Sequence, residues 1–280
     1  MDLYAAGFNA WRQLEFDDLS DLENEPDDIT SFRPVLKDAF IEPPCALLSC
    51  TFEKLLSSTA AIAGNGSIAE YDGIGIIRQH DSLNSFAQAD EPRRFSETGQ
   101  IAQLVAYETG FVALTKDGRV WSWGDERYAA CLGREITPLS PAEQPGIVEE
   151  LEDLPTGKIV KIAAAGYVVL ALTEGHDLYA WGGHPGRQAI LEGLSGSPSP
   201  VLIEENDILD CAVGDSHIIV LTLDGDVYVI GDNTNGQLGL QAYKSITWVK
   251  VPLPSETAQS VVSVKSGQRS SFILMKRHVP

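Results

Sequence analysis

An all-β fold, a β-propeller of about five four-stranded blades, is the architecture that this chain predicts. Three observations carry the prediction: a β-rich phrase recurs five times, Asp-Gly turns punctuate it, and the two chain ends hold complementary halves of it. An internal period of this kind decides architecture before any single residue does. Asp-Gly between two apolar runs marks a hairpin, because Gly accepts the positive φ of a tight turn.

The elements follow in order. Asp2-Leu3-Tyr4-Ala5-Ala6-Gly7-Phe8-Asn9-Ala10-Trp11-Arg12-Gln13-Leu14 reads as the second half of a repeat. Residues 15–33 follow as an acidic loop. A weaker copy runs from Thr59 to Gly73, with Asn65-Gly66 at its turn and a second strand one residue off register. Residues 74–100 are polar and aperiodic and read as an insertion. The copy Phe111–Gly124 carries Asp117-Gly118 at its turn and Val120-Trp121-Ser122-Trp123-Gly124 as its second strand. In the copy Val168–Gly182, Gly175 precedes the usual glycine position and His176 occupies it, a residue that tolerates the left-handed region better than most. Residues 183–206, rich in Gly, Ser and Pro, read as a second insertion. Its Ser-Pro steps fit either a plain loop or phosphorylation sites.

The clearest copy is Ser216–Gly231, which continues through Asp232-Asn233-Thr234-Asn235-Gly236-Gln237-Leu238-Gly239. Val261–Gly267 and Ser270–Leu274 supply the first half that the N-terminus lacks. A closing blade shared between the N- and C-terminal strands explains the split, since a closed sheet ring leaves no edge to aggregate. Complementary halves also lead us to expect a complete chain, with residues 1–280 as a single propeller.

These residues resemble the regulator of chromosome condensation repeat family. Its pattern is an apolar strand, a Gly-x-x-His step, a Leu-Thr-x-Asp-Gly hairpin, and Val-Tyr-x-Trp-Gly running into Asn-x-x-Gly-Gln-Leu-Gly. Gly214 to Gly239 follow it almost letter for letter, while Asp125 to Gly133 keep its length without the Asn and Gln. The resemblance implies structural roles for Gly7, Gly118, Trp123, Gly124, Trp181, Gly182, His217, Gly225, Gly231, Gly236 and Gly239. The His is kept only at His217; Ser58, Gly110, Val168 and Ser270 stand at its counterparts. Familiar members have seven blades, so a chain with five repeats reads as a short, divergent branch.

Composition narrows the function. Hydrophobic content of 44% supports a core, and 25 glycines suit many turns. No apolar stretch reaches membrane-span length, and no secretory leader is expected. Asn65-Gly66-Ser67 therefore reads as a turn rather than a glycosylation site, and a cytoplasmic or nuclear location is expected. Cys45, Cys50, Cys131 and Cys211 lack zinc spacing and read as small core residues. The net charge of −20 repels phosphate backbones, so direct nucleic-acid binding is not expected. The acidity concentrates in Glu15, Asp17, Asp18, Asp21, Glu23, Glu25, Asp27 and Asp28, without the alternating ligands and central Gly of a calcium loop. Either a docking strip for a basic partner or a solvated spacer fits this composition.

No catalytic motif appears: His80-Asp81 has no nucleophile at motif spacing, and Gly193-Leu194-Ser195-Gly196 is no nucleophile elbow. Neither a metal nor a cofactor is expected. His217 reads as structural, and Trp121, Trp123 and Trp181 as blade packing. Trp11 and Trp248 lie off the pattern and read as exposed anchors for a partner, with Asp17, Asp18, Asp21, Glu23, Glu25, Asp27 and Asp28 beside them as docking charges.

The family resemblance then implies a non-enzymatic interaction scaffold, the partner subunit of a modification or chromatin-linked complex, itself monomeric. The alternative is guanine-nucleotide exchange on a small nuclear GTPase. A third class, light or small-ligand sensing, depends on a Trp-rich triplet that five dispersed tryptophans do not form.

Overall fold

The computed structural model describes residues 1–15, 27–37, 60–96, 98–253 and 259–277. Strands β1 (Asp2–Gly7) and β2 (Ile29–Leu36) come first. Strands β3 (Ala60–Ile62), β4 (Ile68–Tyr71), β5 (Ile77–His80) and β6 (Arg93–Phe95) form one antiparallel sheet. A second holds β7 (Ile101–Tyr107), β8 (Gly110–Thr115), β9 (Val120–Gly124) and β10 (Gly146–Ile147). A third holds β11 (Ile159–Ala165), β12 (Val168–Thr173), β13 (Leu178–Gly182) and β14 (Ser199–Pro200). The fourth holds β15 (Ile208–Val213), β16 (His217–Thr222), β17 (Val227–Asp232) and β18 (Lys244–Lys250). Last come β19 (Gln259–Ser266) and β20 (Ser270–Arg277), which join β1 and β2 in the order β19-β20-β1-β2.

The fold is thus all-β and of the propeller class, with five four-stranded sheets as its blades among the described residues. The shared blade is present as expected: β1 pairs with β20 in unbroken register from Asp2↔Met275 to Gly7↔Ser270. This blade and the β15–β18 blade belong to one compact unit, and the other three blades to a second.

Within each unit the blades pack by the same device. The first strand of four blades carries a bulge at a matching place, between Ile101 and Gln103, Ile159 and Lys161, Ile208 and Asp210, and Val261 and Ser263. A bulge bends the strand and re-aims the side chain beside it. Two of those side chains reach the next blade: Gln103 accepts from the Ile162 amide at 2.8 Å, and Asp210 from the Val264 amide at 3.0 Å. Apolar cores fill the space between blades. Tyr107, Val112, Leu114, Val169, Ala171 and Trp181 form one of them, and Ile219, Leu221, Val229, Val264 and Ile273 another.

The middle strands β8, β12 and β16 are buried along their whole length. They are therefore continuous apolar runs rather than alternating ones. Each is followed by the expected hairpin: Gly118 and Gly225 have φ of 95° and 87°, and His176 takes 71° in the worn copy. A Cβ at Gly225 would meet nothing within 4 Å, so only the backbone opposes a side chain there. Gly225→Val should accordingly destabilise by about 1–3 kcal/mol through strain alone. Thermal melting checks this, and a wild-type midpoint would show that the turn tolerates β-branching.

Four readings need correction. Residues 60–73 are the first two strands of their blade, not its middle hairpin: β3 packs against β7, and the Asn65 amide donates to the Glu108 carbonyl of the β7–β8 turn at 2.8 Å. Asn65-Gly66 is therefore one strand out of step with Asp117-Gly118; Asp72 instead closes the middle hairpin, accepting from the Ile74, Gly75 and Ile76 amides. Ser58, read as a counterpart of His217, lies outside the described residues. Residues 74–100 are then no insertion, since they supply β5, β6 and the short helix α1 (Leu83–Ala87). The acidic loop 15–33 ends early, because β2 begins at Ile29. Within 183–206, Ser199–Pro200 forms an edge strand, the one sheet position that accepts proline.

Candidate protein-docking site

The site is built on the turn that leaves β1. Its sequence, Gly7-Phe8-Asn9 through Gln13-Leu14, matches Gly231-Asp232-Asn233 through Gln237-Leu238, which leaves β17. Both turns close in the same way. The Asn9 side-chain oxygen accepts from the Leu14 amide at 3.0 Å, and that of Asn233 from the Leu238 amide at 2.7 Å. The Gln13 side chain accepts from the Trp11 amide at 3.0 Å, and that of Gln237 from the Asn235 amide at 2.9 Å. Where the second turn has Gly236 at φ 81°, the first has Arg12 at 54°. Arg12 pairs with Glu15 at 3.1 Å.

These turns hold both ends of the acidic segment. Asn9 Nδ2 donates to Glu15 Oε1 at 2.9 Å, and the Asn9 amide donates to Asp28 Oδ1 at 2.8 Å. The other Asp28 oxygen accepts from Asn235 Nδ2 at 2.8 Å. The neighbouring turn also packs on β2, where a Cβ at Gly236 would come within 2.6 Å of the Ile29 carbonyl oxygen. Residues 15 and 28 thus enter and leave from one braced base, and Trp11 stands on it with 82% of its surface exposed. Its indole meets Phe8 edge-on at 5.6 Å.

Of the predicted docking residues, Trp11, Asp27 and Asp28 come together at this base; Asp28 is half-buried and already spent on hydrogen bonds. Asp17, Asp18, Asp21, Glu23 and Glu25 lie outside the described residues. Trp248 is half-buried on β18, and the exposed apolar side chains there are Tyr243 at 82% and Ile246 at 65%. Sequence reasoning missed Asn9 and Asn235 as clamps, although the Gly-x-Asn step shared by the two turns was a signal for the first.

Trp123 and Trp181 are fully buried. His217 is also fully buried, with Nε2 at 2.9 Å from both Ser266 Oγ and Ser271 Oγ. Burial drives its pKa down to about 4, against a smaller upward pull from the Ser270 backbone, so the ring is neutral at pH 7. The missing His at Gly110 also has an explanation. A Cβ at Gly214 would collide with the His217 ring, whereas one at Gly110 would collide with the Tyr107 hydroxyl. Ring and glycine have exchanged places, and each pair fills its slot once.

Comparison with known proteins agrees with these elements. The regulator of chromosome condensation (RCC1) repeat models match residues 209–237 and 224–274. The human regulator of chromosome condensation is 31% identical over 153 residues, 53% of this chain and 35% of that protein. The human E3 ubiquitin-protein ligase HERC2 is 29% identical over 176 residues, 58% of this chain and 3% of that protein. This chain therefore spans about a third of the first relative and a small part of the second. Prp20p from Saccharomyces cerevisiae, whose structure was described with its binding to Gsp1p and histones, superposes with a TM-score of 0.59 at 19% identity, covering 82% of this chain and 58% of that one. Human WBSCR16 gives 0.57 at 18% identity over 79% and 58%. These two share the fold, and the family models identify regulator of chromosome condensation repeats within residues 209–274 of this chain.

Proposed function

We propose that this chain is a non-enzymatic protein-interaction module that docks a partner with a basic surface. The observation that carries this reading is the braced base around Asn9, which presents an exposed Trp11 where the acidic segment begins and ends. Trp is favoured at interface hot spots, and charge next to an apolar anchor adds steering and register. Cytoplasm and nucleus both suit such a module. Affinity capture from cell extract, followed by binding of the captured protein to Trp11→Ala, tests it. A loss of roughly tenfold or more in affinity is expected for a hot-spot anchor; unchanged affinity would remove Trp11 from the site.

The second reading, nucleotide exchange on a small GTPase, is favoured by the likeness to the human regulator of chromosome condensation and to Prp20p. It requires catalytic amounts of the protein to accelerate release of a fluorescent guanine nucleotide from the GTPase. We expect release at the spontaneous rate, and acceleration would replace the module reading with the exchange reading.

A further inference from the structure

We infer that a polar recess of about 170 Å³ between the β3–β6 and β7–β10 blades is a binding site for an arginine side chain of a partner protein. Behind it lies the buried Phe111–Trp123 pair, stacked at 5.4 Å, with the Trp123 indole N–H donating to Gln79 Oε1 at 2.8 Å. Three carboxylates line it: Asp81, Asp125 and Glu143.

Each has an arginine near it, and Arg93 also lines the recess, but none of the three guanidiniums fills it. Arg93 sits 3.7 Å from Asp81 across an exposed pair, and Arg127 holds Asp125 from outside through Nε and Nη2. Arg134, the next guanidinium near Glu143, directs its N–H groups to Ser140 Oγ and to the carbonyls of Ser122, Glu135, Ser140, Pro141 and Gln144. Glu143 thus stands exposed beside the recess, attracted by the charge of Arg134 but given none of the hydrogen bonds just named.

A second feature points to a ligand independently of charge. Thr109 lines the recess and is 9% exposed, and its hydroxyl oxygen is buried with no hydrogen-bond partner. A buried hydroxyl left unpaired costs free energy, so its retention here calls for an explanation. A guanidinium supplies one, since its planar fork offers five donors and no acceptor. Thr109, the amide oxygens of Asn65 and Gln79 and the Glu143 carboxylate offer acceptors to that fork. The planar fork meets several acceptors at once, which suits arginine better than lysine.

This inference rests on the interaction-module reading but uses none of the residues of the Asn9 base, so each can fail alone. The experiment is an NMR titration of the intact chain with the capped tripeptide acetyl-Gly-Arg-Gly-amide, following the Trp123 indole N–H. Saturable shifts are expected, weakened roughly tenfold in Glu143→Gln and in Thr109→Val, because each removes a bond to a charged group. The citrulline peptide, of the same shape without the charge, should not saturate. Absence of a saturable shift with the arginine peptide would overturn the assignment, as would equal binding by the citrulline peptide or by Glu143→Gln. If Thr109→Val disturbs the fold, the Glu143→Gln and citrulline arms still decide.

Discussion

Replacing Trp181 with alanine should cost about 3–5 kcal/mol of unfolding free energy, as for other large buried aromatics. Trp181 is fully buried among Val112, Leu114, Val169 and Ala171. Its indole N–H donates to the Cys131 carbonyl at 3.1 Å, which ties β13 to the turn Glu126–Leu132 of the preceding blade. That turn ends at Gly133, φ 65°, where a Cβ would stand 2.6 Å from the indole nitrogen. Alanine therefore opens a cavity, orphans a carbonyl and removes the platform beneath the turn. Trp181→Phe keeps most of the volume and loses the hydrogen bond, and should cost about 1–2 kcal/mol. Urea denaturation followed by circular dichroism measures both. A loss under about 1 kcal/mol for the alanine variant would mean that the turn closes over the cavity.

The second large effect is a pH dependence from His217. Its folded pKa is about 4, below the ordinary 6.5. The unfolded ring therefore takes up a proton first as pH falls, and the sign follows: stability from this site is fully present above pH 6.5 and is lost as pH drops toward about 4. The shift corresponds to about 3 kcal/mol across that window at most. His217→Ala should lose about 2–4 kcal/mol at pH 7, from the cavity and from the buried Ser271 hydroxyl left without its imidazole partner. Its stability should then fall less steeply than wild type between the two pH values. Carboxylates titrate in both proteins, so the difference between the two curves isolates the histidine. Parallel curves would show that the ring is solvated and free to protonate.

Much of the fold was legible because the middle strands are long, apolar and closed by Asp-Gly, and because half a repeat at one end demands the other half. The outer strands were not. Strand β2 buries Ile29, Phe32 and Val35, every third residue, because its pairing with β1 slips twice. That spacing matches neither the strand period of two nor the helical 3.6, so it reads as loop. Strands β5 and β6 are four and three residues long, too short for alternation to show. The exchange of Tyr107 with Gly110 hid a filled slot behind an apparently missing histidine.

The candidate site was legible in part. Trp11 stood out because nothing in the repeat pattern claims it. The clamps did not, since Asn235 and Asp28 are 207 residues apart and meet only when the shared blade forms beside its neighbour in the same unit. The recess drew no notice for the same reason: Thr109, Asp81 and Glu143 belong to no common motif.

The docking reading is tested most directly by the association rate of the captured partner as a function of ionic strength. The comparison is between wild type and a variant carrying Ser at Asp17, Asp18, Asp21, Glu23 and Glu25. Asp28 is left in place because it braces the base, so the variant should keep its fold; like charges close together in sequence repel one another. The wild-type rate should fall steeply with added salt, and the variant should associate roughly tenfold more slowly at low salt with a nearly flat dependence. Equal rates and equal salt slopes for the two proteins would contradict the reading and reduce the acidic segment to a spacer.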